Sequence, residues 1–180
     1  MLVGAEHWQY DDRVWNDPGV IYDLGCLRWD WCKPFLGRKP VVGVDPQEQS
    51  IPLEAVLCQA AIGPYTGLCG VSGDGNWGSA YGAGLNRPTP VMTCKTLFED
   101  YGEPALVKMN IEGGEIPIIF TVKQPMAPQL VIAFHGWMHA QHPEMPPPES
   151  TEAALDYLAR WYNITMTCEQ YQCYCMTIKE

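Results

Sequence analysis

A chain of 180 residues with 47% hydrophobic and 18% charged residues has the apolar material for one ordinary domain, and its composition excludes intrinsic disorder. Its formal net charge of −10 repels phosphate backbones and anionic lipid, and no basic run offsets it, so neither nucleic acid nor a membrane is an expected partner. No stretch approaches the roughly 18 apolar residues of a membrane span, and the opening MLVGAEHWQYDD lacks the order of a secretory signal, so a cytoplasmic protein with eight free thiols is expected.

Four apolar runs, 19–25, 40–46, 105–111 and 130–136, are nearly continuous, as parallel strands buried on both faces are. Between the first two, residues 26–39 are just long enough for a short crossover helix. Residues 50–63 predict a helical turn and then a strand near 56–62. Segment 63–84 holds eight of the 17 glycines and reads as loop or irregular hairpin; Trp77 in it would line a substrate or anchor the loop. A strand at 91–94 precedes a helix that Gly102 ends. Residues 115–124 read as a helix with Pro117 in its first turn, and 142–150 as a stiff loop. Residues 150–163 predict a helix capped by Ser150 or Thr151, with Leu155, Leu158 and Tyr162 on one face. The end, 164–178, reads as a hairpin around Glu-Gln-Tyr-Gln. The order implies one α/β domain over 1–180: a mostly parallel, doubly wound sheet with a C-terminal antiparallel hairpin.

The strand ends carry the chemistry, as ligands of open α/β sheets collect there. The first run ends Asp23-Leu24-Gly25 and the second Val44-Asp45-Pro46. A glycine permits close backbone approach, and an acid on the next strand accepts hydrogen bonds from ribose hydroxyls. The plainer reading makes Asp23 a turn cap and Asp45 a surface turn residue before proline. No G-x-G-x-x-G is present, so a pyrophosphate would have no glycine nest. The third run, LVKMNIEGGE, crowds Lys108, Asn110, Glu112 and Glu115 around a double glycine, and the fourth brings His135 to the same edge. A helix N-terminus would account for Glu115 and Glu112 but not for Lys108 and Asn110 within a strand.

Taken in order, YDLGC, VVGVDP, AAIGPYTG, GSAY, TLFEDYG, LVKMNIEGGE and LVIAFHGW resemble the FkbM family of S-adenosylmethionine-dependent methyltransferases, over about Gly19 to Trp137. The most specific element is VKMNIEGGE, similar to that family's lysine–apolar–aspartate–apolar–glutamate–glycine–alanine–glutamate segment. The resemblance implies a Rossmann-like class I methyltransferase fold that binds S-adenosyl-L-methionine and methylates a hydroxyl on a small molecule or glycan. It implies Asp23, Gly25 and Cys26 along the methionine portion, Asp45 and Pro46 at the ribose, and Ala61 and Ile62 near the adenine. Glu112, Asn110 and His135 would face the methyl-transfer region, with His135 suited to accept a hydroxyl proton near neutral pH.

Two departures bear on this. The glycine-rich continuation of the first strand is replaced by CLRWDW, so Trp29 or Asp30 would hold the amino-acid end instead. The family's aspartate is Asn110, which cannot take a proton. Together they motivate an alternative, a cofactor-binding sensor or subunit that has lost turnover. A zinc site from Cys168, Cys173 and Cys175 with His139 and His142 is a third reading. Its C-x4-C-x-C spacing lacks the paired knuckle, so packed thiols and no metal are expected.

Overall fold

The computed structural model describes residues 1–4, 7–71, 87–136 and 147–180. The elements are β1 (Leu2–Val3), β2 (Tyr10–Asp11), β3 (Val20–Leu24), β4 (Val41–Val44), β5 (Ala55–Cys58), β6 (Ala61–Ile62), β7 (Gly67–Val71), β8 (Arg87–Met92), α1 (Cys94–Tyr101), β9 (Pro104–Met109), α2 (Glu115–Ile119), β10 (Gln129–Ala133), α3 (Pro148–Leu158), β11 (Tyr162–Cys168) and β12 (Cys173–Ile178). Short 3-10 turns lie at 12–15, 27–29 and 33–35.

One sheet of seven strands organises the chain, in the order β11-β12-β10-β9-β3-β4-β5. Strands β5, β4, β3, β9 and β10 run parallel, and β12 is antiparallel to both of its neighbours. The chain winds outward from β3 through β4 to β5, then returns to the other side of β3 and winds through β9 to β10. The strand order therefore reverses between β3 and β9, the place at which open α/β sheets bind ligands. A small sheet, β6-β8-β7, follows β5. Strands β1 and β2 pair as a separate ribbon whose β2 packs on β10 and β12. No helix among the described residues is long and apolar enough to cross a membrane.

The four apolar runs become β3, β4, β9 and β10, every residue of which is buried. Their alternate residues feed two cores. Val20, Tyr22 and Leu24 of β3 join Val107, Leu97, Ile118 and Leu158 under the helices. Ile21, Val41, Leu106 and Val131 face Tyr10, Val14, Trp29 and Phe35 on the other side. Each large side chain so buried contributes roughly 1.5–3 kcal/mol.

Several expected elements differ. Residues 26–39 form two 3-10 turns instead of a crossover helix. Arg28 and Trp29 take φ of 66° and 59°, which no α-helix accommodates, and Pro34 opens the second turn. Trp29 is drawn out of helical register because its ring fills the space above Gly43, where a Cβ would lie 2.4 Å from it. The expected helical turn near 50 is not helix, and the 56–62 strand is split into β5 and β6. The 115–124 helix stops at Ile119. The last helix starts at Pro148, places Ser150 and Thr151 inside itself, and ends at Leu158. Tyr162 consequently opens β11 instead of lying on the helix. Residues 72–84 of the glycine-dense segment, including Trp77, and residues 142–146 of the proline loop lie outside the described residues.

Candidate functional site

A pocket of about 220 Å³ opens at the carboxyl ends of β3, β4 and β9. Gly25, Asp45, Pro46, Ala61, Ile62, Asn110 and Glu112 line it, seven residues singled out from sequence. The small sheet supplies Val91 and Cys69, and the turn after β6 supplies Tyr65. Asp45 and Glu112 are the charged groups of the described lining, and no Lys, Arg or His joins them.

Gly25 makes the crevice possible. Its φ is +77°, and a Cβ there would lie 1.9 Å from the Asn110 carbonyl oxygen. The glycine thus lets the turn after β3 lie against the end of β9. Its amide donates to the Val44 carbonyl at 2.8 Å, while the Asn110 amide donates to Leu24 at 3.0 Å. Three strand ends are tied together in this way.

Asp45 directly follows β4 and is buried. Its Oδ1 accepts from the Gln47 amide at 2.8 Å, an Asx turn that holds the acid at the pocket wall. Burial pushes its carboxyl above the ordinary range, opposed by the Gln47 amide and by Lys108. Gln47, which also lines the pocket, was not anticipated; the Asp-Pro-Gln turn was its available signal.

Asp23 and Cys26 do not line the pocket. Asp23 faces the opposite core beside Lys108, its register partner on β9, as an ion pair of 2.8 Å that is 1% and 5% exposed. Lys108 Nζ also donates to the Gly25 carbonyl at 2.7 Å and lies 5.2 Å from the centre of the Trp8 ring. Burial pushes the Asp23 carboxyl up, and Lys108 pulls it down. Desolvation offsets most of the Coulomb gain of such a pair, so its main effect is to fix the Gly25 turn from behind. Cys26 is buried and its sulfur accepts from Gln49 Nε2 at 3.4 Å; burial raises its thiol far above the ordinary value, which keeps it neutral. Trp29 is buried over Gly43 and Asp30 is paired with Lys33 on the surface at 2.5 Å, so neither stands in the pocket lining.

The end of β9 carries a second arrangement. Glu115, fully buried, accepts from the Ile111 amide at 2.8 Å through Oε1 and from the Gly113 amide at 3.0 Å through Oε2. This staple closes the turn 111–114 and holds Glu112 in the left-handed region at φ 55°. His135, at the end of β10, puts Nδ1 2.9 Å from Glu115 Oε1 and Nε2 3.3 Å from Glu112 Oε2. Burial opposes its cation, but Glu115 and Glu112 more than offset this against Lys108, and its pKa is raised. For Glu112, burial pushes the carboxyl up, His135 pulls it down and Glu115 adds to the rise. Glu112 lines the pocket and His135 does not, so the imidazole stands behind the carboxylate. Sequence alone makes Glu115 a helix-dipole acid; its structural part is to bind the turn and the histidine.

Among the described residues no group of three His, Cys, Asp or Glu side chains is arranged to hold a metal. Cys168 and Cys173 face each other across the hairpin, whereas His139 and His142 lie outside the described residues. Comparison with family models, with curated proteins and with solved structures gives no match. The resemblance to FkbM enzymes therefore rests on the sequence motifs alone.

Proposed function

We propose that the chain is an S-adenosylmethionine-dependent methyltransferase of class I architecture that methylates a hydroxyl on a small molecule or glycan. The observation that carries this reading is the convergence of Gly25, Asp45, Ala61, Ile62, Asn110 and Glu112 on one pocket at the reversal of strand order. The mostly parallel sheet with its terminal antiparallel hairpin supports it, since that is the architecture the motif resemblance implies.

The donor set fits such a cofactor. Asp45 would accept from a ribose diol, and Ala60, Ala61, Ile62 and Val91 would offer apolar walls to a purine. The pocket is smaller than the roughly 300–1,000 Å³ of typical small-molecule sites. Within it, Asp45, Ala61 and Ile62 would hold the nucleoside part of the ligand. When bound, S-adenosylmethionine supplies an electrophilic methyl group on a sulfonium. The chain's residues then align the acceptor, a positioning effect of several kcal/mol. Glu112, at the wall, would face the methyl-transfer region, with His135 held against it from behind. A described lining with acids and no cation disfavours phosphorylated or carboxylate acceptors and favours neutral hydroxyls.

Calorimetric titration of the folded protein with S-adenosylmethionine, beside Asp45→Ala, tests the reading. Micromolar binding weakened at least tenfold in the variant is expected. No binding by the folded wild-type chain, or equal binding by both proteins, removes it.

A further inference from the structure

The structure separates three acids that the sequence places alike, at the ends of apolar runs. Asp23 is turned away from the pocket and neutralised by Lys108 at 2.8 Å. Asp45 stands at the end of β4, committed to the Gln47 amide. Glu112 stands on the wall formed by the end of β9, next to Gly25 and Asn110. The pocket that Asp45, Ala61 and Ile62 would offer to a nucleoside therefore holds one further carboxylate, Glu112, for a charged substituent. In S-adenosylmethionine the 5′ substituent is a cation.

We propose that Glu112 is the charge-recognising residue of the pocket: its carboxylate pairs with the sulfonium of the methyl donor, and His135, anchored by Glu115, is the positioning residue that keeps it there. Two features of the fold serve this. The Glu115 staple across Ile111 and Gly113 holds Glu112 in a conformation that a residue with a side chain seldom adopts. The imidazole, 3.3 Å from Glu112 Oε2, fixes the carboxylate's direction without entering the pocket. Asp23, which the resemblance sets along the methionine portion, has no part in this: Lys108 holds it outside the pocket lining.

The inference rests on the S-adenosylmethionine reading, and its test separates the two. S-adenosylmethionine and S-adenosylhomocysteine share the adenosyl and amino-acid groups and differ at sulfur by a methyl group and a positive charge. In Glu112→Gln, S-adenosylmethionine binding is expected to weaken at least tenfold and S-adenosylhomocysteine binding less than threefold. His135→Gln is expected to narrow the same ratio by a smaller factor, which a merely structural role would leave unchanged. Equal weakening of both ligands overturns the assignment, as does no weakening. Failure of the underlying reading shows differently, as absence of binding in the wild-type chain. A variant-free measurement guards against misfolding. In the wild-type protein, saturating S-adenosylmethionine places a cation beside the Glu112–His135 pair, so the proton-NMR titration of His135 moves to lower pH than with S-adenosylhomocysteine. Identical midpoints with the two ligands overturn the proposal.

Discussion

Gly25 and Gly37 separate two reasons for a glycine. Both have positive φ, +77° and +70°, but a Cβ at Gly37 meets nothing within 4 Å. A Cβ at Gly25 meets the Asn110 carbonyl carbon and oxygen, at 2.9 and 1.9 Å. Gly37→Ala is therefore expected to cost only the left-handed strain, about 1–2 kcal/mol. Gly25→Ala adds a backbone collision at the pocket and is expected to cost at least about 3 kcal/mol. Urea denaturation of the two variants checks this, and equal losses would mean that the β3–β9 crevice relaxes freely. The collision also explains why the strand ends in Asp-Leu-Gly. The glycine serves the approach of one strand end to another.

At the scale of elements, Tyr162 shows what the hairpin is tied to. Its hydroxyl accepts from the Met126 amide at 2.8 Å and the Ala127 amide at 3.3 Å, and donates to the Ala127 carbonyl at 2.9 Å. All of these contacts are buried, and they join the start of β11 to the segment entering β10. Tyr162→Phe removes the oxygen and strands two amides, at a cost of about 1–3 kcal/mol. Tyr171→Phe, in the exposed turn between β11 and β12, is expected to change stability by less than about 0.5 kcal/mol. Thermal denaturation of both variants decides, and equal melting temperatures would deny Tyr162 this role. Tyr162 also marks the boundary of what the sequence discloses. The buried parallel strands were legible because every residue in them is apolar or paired. So were α1, with Thr93 accepting from the Thr96 amide at 3.1 Å and Gly102 ending it, and the terminal hairpin. Helical spacing placed Leu155, Leu158 and Tyr162 on one face, but a strand beginning at Tyr162 buries the same ring in the same core. The turns at 26–39 were illegible for a related reason. Trp29 answers to Gly43 on a neighbouring strand, a tertiary demand that no local propensity encodes. In the candidate site, Asp45, Gly25 and Glu112 were legible as strand-end residues. The side of the sheet on which Asp23 points became decisive only once Lys108 was its neighbour in register.

At the scale of the whole molecule, the buried thiols and His135 share one direction. Burial pushes the thiols of Cys32, Cys94 and Cys173 up to about 12 and that of Cys175 to about 11, from an ordinary 9.0. For His135, burial works against the cation, but Glu115 and Glu112 prevail, and its pKa lies above 6.5. In each case the folded state holds its proton more tightly than the unfolded chain does. The folded protein then binds more protons wherever the pH lies between the two values, so stability falls as pH rises through that interval. The stabilisation from His135 is fully present below pH 6.5 and is lost as pH rises through its higher folded value. The thiol contribution is present up to about pH 8.5 and is lost above it, as the unfolded chain ionises first. Self-repulsion acts in the same sense, because a chain already at −10 grows more negative as pH increases. The melting temperature is therefore expected to fall by about 5–10 °C between pH 6 and pH 10. His135→Gln should flatten the part of this slope nearest neutrality and leave the alkaline part intact, because the buried cysteines lie on other elements. Calorimetric scans at constant ionic strength test both parts. A melting temperature that rises across this range would mean that the imidazole between Glu112 and Glu115 stays neutral in the fold, and the positioning of Glu112 would then need a different source.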